Sequence, residues 1–252
     1  MALLRLIDFS CYNFFMTKIL DCTTRDGGHV TNWNFNDEFV FDLMNELNYA
    51  RVAYFEIGYR NRFDTDGKGN FYHCSPEFLQ KFYDKKGNLQ IGVMTDAKRY
   101  SEEDFAGAGK DYIDFVRIAC HPDMIGETLI IAENLHNKGY KVFVQLMDVS
   151  NIDENGFFEL FKFKNKNILE SLYFADSYGV LEPSDIEKYF QKLKMLGYDR
   201  ISFHGHNKSA NVLQNSIKAC EIGVFSVDTT KDGIGRCGGN LPLKKLLEEK
   251  EI

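Results

Sequence analysis

The sequence lacks several patterns that would define its class at once. Its 252 residues contain no run of about 18 apolar residues, which excludes a transmembrane helix. The six cysteines show no Cys-x-x-Cys spacing, so reduced thiols in a cytoplasmic protein are a simpler interpretation than a disulfide framework. The net charge of −7 gives no general attraction to nucleic acid or to an anionic membrane. We therefore expect neither as a partner.

Other absences bear on domain organisation. No low-complexity segment or interdomain linker interrupts the chain, and no glycine-rich phosphate loop reveals a nucleotide or CoA site. The first 15 residues are apolar but lack the basic region and the cleavage site of a secretory signal. We interpret residues 1–16 as an N-terminal extension or alternative start, and residues 17–252 as one catalytic domain.

Short apolar or β-branched runs recur along the chain and predict eight strands, each too short for a buried helix. The predicted strands are residues 18–21, 52–57, 90–94, 113–118, 142–147, 171–175, 200–203 and 224–227. The gaps are long enough for helices, and most have helical periodicity. The clearest predicted helices are residues 37–49, 123–137, 183–197, 210–222 and 241–252. Eight strand–helix units in a chain of this length predict a single-domain (β/α)₈ barrel, with a doubly wound open sheet as the alternative.

Polar side chains follow nearly every predicted strand, where a barrel builds its active site. They are Asp26 and His29 after the first strand, Glu56 in the second, His121 after the fourth, Asp148 after the fifth, Asp176 after the sixth, His204 and His206 at the seventh, and Asn240 beyond the eighth. Packing alone does not require so many polar groups at these positions. This pattern indicates an active site at the carboxyl ends of the strands.

His204 and His206 are two residues apart, so an extended backbone directs both imidazoles to one side. With Asp26 they form a set of two histidines and one carboxylate, which leaves positions on a divalent ion open for substrate. Two separate strand-end histidines are the alternative, but the acid after the first strand favours a metal site. Arg25 then offers a fixed charge to an enolate oxygen. His29 offers a general base, or alternatively only caps its turn.

Two motifs carry a family resemblance, Thr24-Arg25-Asp26-Gly27-Gly28-His29 and His204-Gly205-His206-Asn207. Further matches are Glu56-Ile57-Gly58-Tyr59-Arg60, Asp176-Ser177-Tyr178-Gly179 and Gly233-Ile234-Gly235-Arg236-Cys237-Gly238-Gly239-Asn240. Over residues 18–247 the chain resembles the metal-dependent TIM-barrel lyase and synthase superfamily, which includes 4-hydroxy-2-oxovalerate aldolase, 3-hydroxy-3-methylglutaryl-CoA lyase and isopropylmalate synthase. It is most similar to the aldolase catalytic domain.

The resemblance implies a role for each matching position. Asp26, His204 and His206 match the ligands of the divalent metal, with Mn²⁺ or Mg²⁺ expected and Co²⁺ or Zn²⁺ as alternatives. Arg25 matches the arginine that steadies the enolate. His29 falls on the catalytic base of the hydroxy-oxovalerate aldolases.

Four more residues are weaker candidates for the metal or the site: Asn240, Glu56, Asp176 and Cys237. Asn240 matches a metal ligand of some lyases, and Cys237 lies near the catalytic cysteine of the CoA lyase, in a shorter loop.

The resemblance implies a class II pyruvate aldolase that acts on a 4-hydroxy-2-oxo acid, with a 2-oxo acid and an aldehyde as the small molecules bound. An acyl-CoA synthase or lyase and a catalytically silent binding barrel are the alternatives. The chain has no room after the last strand for the helical domain of aldolases that channel to a dehydrogenase, so we do not expect a dehydrogenase partner. A homo-oligomer stays open.

Overall fold

A computed structural model describes residues 16–61, 63 and 66–250. The predicted extension, residues 1–16, falls almost entirely outside these ranges, so the boundary at residue 16 stays a prediction. Within the described ranges, no helix has the length and apolar character needed to span a membrane.

Eight parallel strands form a closed barrel in sequence order. They are Lys18–Asp21 (β1), Tyr54–Tyr59 (β2), Gln90–Asp96 (β3), Phe115–Cys120 (β4), Lys141–Leu146 (β5), Leu169–Asp176 (β6), Ile201–Gly205 (β7) and Ser226–Thr229 (β8). The first strand pairs with the last from Lys18 opposite Ser226 to Asp21 opposite Thr229, which closes the sheet. The predicted (β/α)₈ barrel is confirmed, and the open sheet is excluded.

Longer helices cover the outside of the barrel, and two short ones lie at its mouth after the first strand. The α-helices are Thr23–Asp26 (α1), Gly28–Thr31 (α2), Asp37–Tyr49 (α3), Pro76–Tyr83 (α4), Ile125–Asn137 (α5), Glu154–Lys162 (α6), Pro183–Met195 (α7), Val212–Glu221 (α8) and Leu243–Lys250 (α9). Side chains cap several amino termini as their sequence predicts. Asn36 accepts the backbone N–H of Glu38 before α3, and Asp153 accepts that of Gly156 before α6.

The observed elements differ from the prediction at particular boundaries. Strand β2 begins at Tyr54, because the N–H of Val52 is still bonded to the carbonyl of Leu47 at the end of α3. Between β3 and β4 the described chain has only the 3₁₀ turn Glu102–Asp104. Gly107 and Gly109 follow it with φ of 117° and 82°, values that end helical geometry.

Alternate residues of each strand point into the barrel. One cluster of these inward side chains is apolar and largely aromatic. Its buried members are Leu20, Cys22, Tyr54, Phe115, Phe143 and Tyr173. Two residues beyond Tyr54 and Phe115, toward the carboxyl ends, lie Glu56 and Arg117, both completely buried. Glu56 and Arg117 therefore lie between this aromatic cluster and the mouth of the barrel.

Gly58 provides a test of this packing. It lies beside a register shift in β2, and a Cβ built there would be 2.0 Å from the carbonyl oxygen of Phe71. Because a backbone atom cannot rotate away, we expect Gly58→Ala to lower the free energy of unfolding by about 1–3 kcal/mol. Urea unfolding followed by circular dichroism measures this.

Gly126→Ala is the matched control. Gly126 lies in α5, and its nearest neighbour to an added Cβ is 3.9 Å away. Alanine there should stabilise the protein by up to about 1 kcal/mol, because it has the higher helix propensity. Equal effects of the two substitutions would contradict the packing described for β2.

Candidate metal centre

The motif after β1 folds as two short helical turns rather than one glycine turn. Helices α1 and α2 meet at Gly27, and the N–H of Asp26 bonds to the carbonyl of Cys22 at 2.8 Å. The indole Nε1 of Trp33 donates to the carbonyl of Arg25 at 2.9 Å. The backbone of Arg25 and Asp26 is therefore held at both ends, and both side chains are buried.

Asp26, His204 and His206 come together at the mouth of the barrel. Their facing ligand atoms all lie within 4.8 Å of one another. The Nε2 atoms of the two histidines are 3.4 Å apart, and Nδ1 of His206 is 3.9 Å from Oδ2 of Asp26. All three side chains are buried. The geometry predicted from the spacing of these residues is present.

The protonation states of His206 and Asp26 suit a cation. Burial and the neighbouring His204 lower the pKa of His206 to about 3, so its ring is neutral at neutral pH. Burial would raise the pKa of Asp26, but Arg25 and the two histidines hold it below its ordinary range. A neutral imidazole and an ionised carboxylate are the forms that bind metals.

Unpaired buried atoms provide an independent test of the fit. Among the described residues, Nδ1 of His206, Oδ1 of Asn240 and Nη2 of Arg25 are buried without a hydrogen-bond partner. Such groups are costly unless something binds them. Asn240 is also tied to the triad, since its Nδ2 donates to Oδ2 of Asp26 at 2.6 Å. These residues fit a divalent cation and an oxygen-rich ligand.

A chain of buried ion pairs lies beneath the triad. Arg25 donates from Nε to Glu56 and from Nη1 to Asp26, both at 2.5 Å. Glu56 in turn accepts two bonds of 2.6 Å from Arg117. Arg117 also donates to Oδ2 of Asp228 at 2.6 Å. The chain of contacts reaches from α1 through β2 and β4 to β8.

Asp228 connects this chain to His204. Its Oδ2 lies 2.8 Å from Nδ1 of His204. Burial would raise the pKa of Asp228, but Arg117 and His204 hold it below its ordinary value, so the carboxylate is ionised and Nδ1 must donate. In the neutral ring this leaves the lone pair on Nε2, directed toward His206. A carboxylate that orients a histidine in this way is a usual feature of metal centres.

A second set of donors, Cys22, His204 and Asp228, also has its ligand atoms within 4.8 Å. Burial raises the pKa of the Cys22 thiol well above its usual value, so the thiolate that binds metals is disfavoured. In this set, Oδ2 of Asp228 already bonds both to Arg117 and to Nδ1 of His204. The set with Asp26 and His206 is therefore the better cation site.

The weaker candidates have different positions. Glu56 pairs with two arginines, as described, and does not belong to either donor set. Asp176 accepts the backbone N–H groups of Val180 and Leu181, both at 3.0 Å, and so holds the loop after β6. Cys237 is exposed, on the loop that carries Asn240. Asn240 alone of the four contacts the triad.

His29 lies beside the triad on α2, against an aromatic wall. Its ring contacts Trp33 edge-on with centroids 4.8 Å apart, and its Nε2 is 3.4 Å from the hydroxyl of Tyr59. Removal from water and nearby positive charges lower its pKa to about 4. The ring is therefore neutral and able to accept a proton at neutral pH, although the residue as a whole is exposed.

The sequence reasoning missed Arg117 and Asp228. A signal was present, because Arg117 interrupts the apolar run Phe115-Val116-Arg117-Ile118-Ala119. A charge within an interior strand needs a buried partner. Asp228 follows Val227 at the end of β8 in the same way.

The chain matches known proteins over most of its length. The HMGL-like family model matches residues 16–250. An oxaloacetate decarboxylase of Mycobacterium tuberculosis is 26% identical, over 91% of this chain and 68% of that protein. A 4-hydroxy-2-oxovalerate aldolase of Carboxydothermus hydrogenoformans is 24% identical, over 88% of this chain and 67% of the relative.

Solved structures show the same fold. The N-terminal domain of a Bacteroides vulgatus protein named as a candidate aldolase matches with a TM-score of 0.85 and 30% identity, over 93% of this chain and 79% of that one. The carboxyl transferase domain of Rhizobium etli pyruvate carboxylase matches with a TM-score of 0.73 and 16% identity, over 98% and 46% of the two chains. The latter likeness concerns the barrel alone.

Substitution of Asp228 tests whether this carboxylate orients His204 for metal binding. We expect Asp228→Asn to weaken Mn²⁺ binding about 10- to 100-fold, because the amide no longer fixes the tautomer and orientation of His204. Electron paramagnetic resonance of free Mn²⁺ during titration measures the affinity. Glu170→Gln is the control, since Glu170 also accepts from an arginine and a hydroxyl but lies at the start of β6, at the opposite end of the barrel. A folded Asp228→Asn protein with unchanged Mn²⁺ affinity would remove the orienting role.

Proposed function

The chain belongs to the HMGL-like family, and from this premise we propose that it is a divalent-metal-dependent lyase of the class II aldolase type. Its reaction forms or cleaves the bond between C3 and C4 of a 4-hydroxy-2-oxo acid, through the enolate of pyruvate. The proposal places catalysis in residues 17–252. The single observation that carries it is the triad of Asp26, His204 and His206 beside the unpaired Nη2 of Arg25.

Asp26, His204 and His206 would hold the ion, with Oδ1 of Asn240 as a further oxygen donor. Mn²⁺ or Mg²⁺ is the proposed metal, since the set contains a carboxylate and an amide oxygen beside the imidazoles. A divalent ion supplies Lewis acidity, which favours the enolate form of a 2-oxo acid.

Arg25 has the geometry to stabilise the enolate. Its Nε and Nη1 are fixed by Glu56 and Asp26, which leaves Nη2 as a buried and oriented donor. A donor fixed before the reaction costs no reorganisation when negative charge develops on the substrate oxygen. In the cleavage direction the electrons of the broken C3–C4 bond become those of the enolate that Arg25 faces.

His29 would transfer the proton. In cleavage, the neutral ring accepts the proton of the C4 hydroxyl group as C4 becomes the carbonyl of the departing aldehyde. In synthesis, the same ring returns that proton. Its low pKa keeps the ring in the accepting form, and the hydroxyl of Tyr59 lies near its Nε2.

Decarboxylation of oxaloacetate is a second candidate, favoured by the relative of that name at 26% identity. It also produces the enolate of pyruvate, with carbon dioxide as the leaving fragment in place of an aldehyde. The two candidates require the same triad and the same Arg25 donor. They differ in the need for His29, because decarboxylation has no hydroxyl proton to remove.

Loss of the carboxylate should remove the metal. We expect Asp26→Asn to bind Mn²⁺ at least about 100-fold more weakly, because the amide contributes no charge to the ion. Elemental analysis after dialysis and a Mn²⁺ titration measure the loss. Asp96→Asn is the control, since Asp96 is also a buried carboxylate at a strand end but pairs with Arg99 outside the triad. Full metal retention by the Asp26→Asn protein would disprove the ligand set.

Replacement of the base should separate two activities. We expect His29→Gln to slow cleavage of 4-hydroxy-2-oxopentanoate by about 10²- to 10⁴-fold, the usual contribution of a general base, with Mn²⁺ content unchanged. Oxaloacetate decarboxylation should change little. Coupled reduction of the released pyruvate measures both rates, and His136→Gln on the outer face of α5 is the control.

The same samples decide between the broader reaction types. Wild-type protein with Mn²⁺ should exchange the methyl protons of pyruvate for deuterium, as measured by NMR, and should release no thiol from acetyl-CoA. Release of thiol without pyruvate exchange would favour an acyl-CoA reaction. Neither activity, together with no uptake of metal, would identify a binding barrel.

A further inference from the structure

Arg236 lies beside the candidate metal centre. It follows Gly235, whose backbone is pressed against the triad: a Cβ there would lie 2.4 Å from Oδ2 of Asp26 and 1.9 Å from Nδ2 of Asn240. The close approach places Arg236 at the rim of the site. Its Nε is 3.9 Å from Oδ1 of Asp26.

Asp26 does not need this arginine. Its Oδ1 already accepts from Arg25 at 2.5 Å and its Oδ2 from Asn240 at 2.6 Å. Within the described part of the chain, Nε of Arg236 is buried and has no hydrogen-bond partner, while about 35% of the side chain is exposed. A cation placed next to a divalent ion is also repelled by it, and an anionic ligand relieves that repulsion.

The wall around His29 is also positively charged. Arg236, Arg25 and Lys68 each oppose protonation of His29, while Asp26 acts in the other direction. The ammonium of Lys68 lies 3.9 Å from the ring centre of Tyr72 and 5.9 Å from that of Trp33, the ring that contacts His29. Positive charge is thus concentrated on the side of the triad where the second fragment of the substrate would meet His29.

We propose that Arg236 binds a second carboxylate of the substrate, so that the protein prefers dicarboxylic 2-oxo acids to acids with a neutral tail. A planar guanidinium matches a single carboxylate with two parallel hydrogen bonds. The inference rests on the proposed function and refines it, since it gives the fragment next to His29 a negative charge.

Two ligands of equal length test this inference. 2-Oxoglutarate and 2-oxopentanoate both have five carbons and differ in one end group, a carboxylate or a methyl. Isothermal titration of the Mn²⁺-loaded protein should show the diacid binding at least about 10-fold more tightly, as expected for a hydrogen-bonded charge pair. Arg236→Gln should remove most of this preference and leave the affinity for 2-oxopentanoate within about threefold.

Two further variants define the effect. Arg51→Gln removes an equal charge from an exposed site before β2, at the opposite end of the barrel, and should leave the preference unchanged. Arg236→Lys should retain part of it, because lysine keeps the charge but not the two parallel hydrogen bonds. A wild-type protein without preference, an unchanged preference in Arg236→Gln, or failure of both acids to bind would overturn the proposal.

Deuterium exchange of pyruvate separates this inference from the proposed function. Exchange by both the wild-type and Arg236→Gln proteins, with the diacid preference lost only in the variant, supports both. A diacid preference that depends on Arg236, without exchange in the wild type, keeps the carboxylate site and rejects the enolate chemistry. Exchange without any diacid preference rejects the carboxylate site alone.

Discussion

The burial of Arg117 is the constraint on which the rest of the candidate site depends. A guanidinium with no solvent contact in the middle of a barrel must be neutralised, or the fold loses several kcal/mol. Glu56 and Asp228 provide the neutralisation from two other strands. Each of these carboxylates then has a second partner, Arg25 for Glu56 and His204 for Asp228. These bonds therefore fix the orientation of Arg25 and His204 at the mouth of the barrel.

The same strands provide both hydrophobic burial and the positioning of charged groups. The aromatic cluster provides hydrophobic burial, while the charged groups beyond it fix the directions of donors and acceptors. A low dielectric around buried ion pairs strengthens them. It also makes an unpaired polar atom costly, so the unpaired atoms beside the triad, such as Nη2 of Arg25, point to a ligand.

Much of the fold and part of the site could be predicted from the sequence, for reasons that are physical. Short apolar runs and helical periodicity are local signals, so the strands and most helices were predictable. The convergence of Asp26 with His204 followed once a barrel was assumed. The partners of Arg117 could not be predicted, because they depend on which inward residues of three different strands meet inside the barrel. The structural role of Asp176 could not be predicted either, because its carboxylate accepts hydrogen bonds from N–H groups of the loop that follows it. Pattern alone does not reveal such a bond.

The seam between β1 and β8 has a consequence for how the protein is made. Asp26 follows β1, while His204 and His206 lie at the end of β7 and Asn240 lies beyond β8. During synthesis, Asp26 therefore has none of these neighbours until β7 and β8 have been made. A cation that binds only the closed barrel would stabilise it, because by mass action binding favours the state in which β1 and β8 are paired. Such a barrel would close and complete its metal site in the same step.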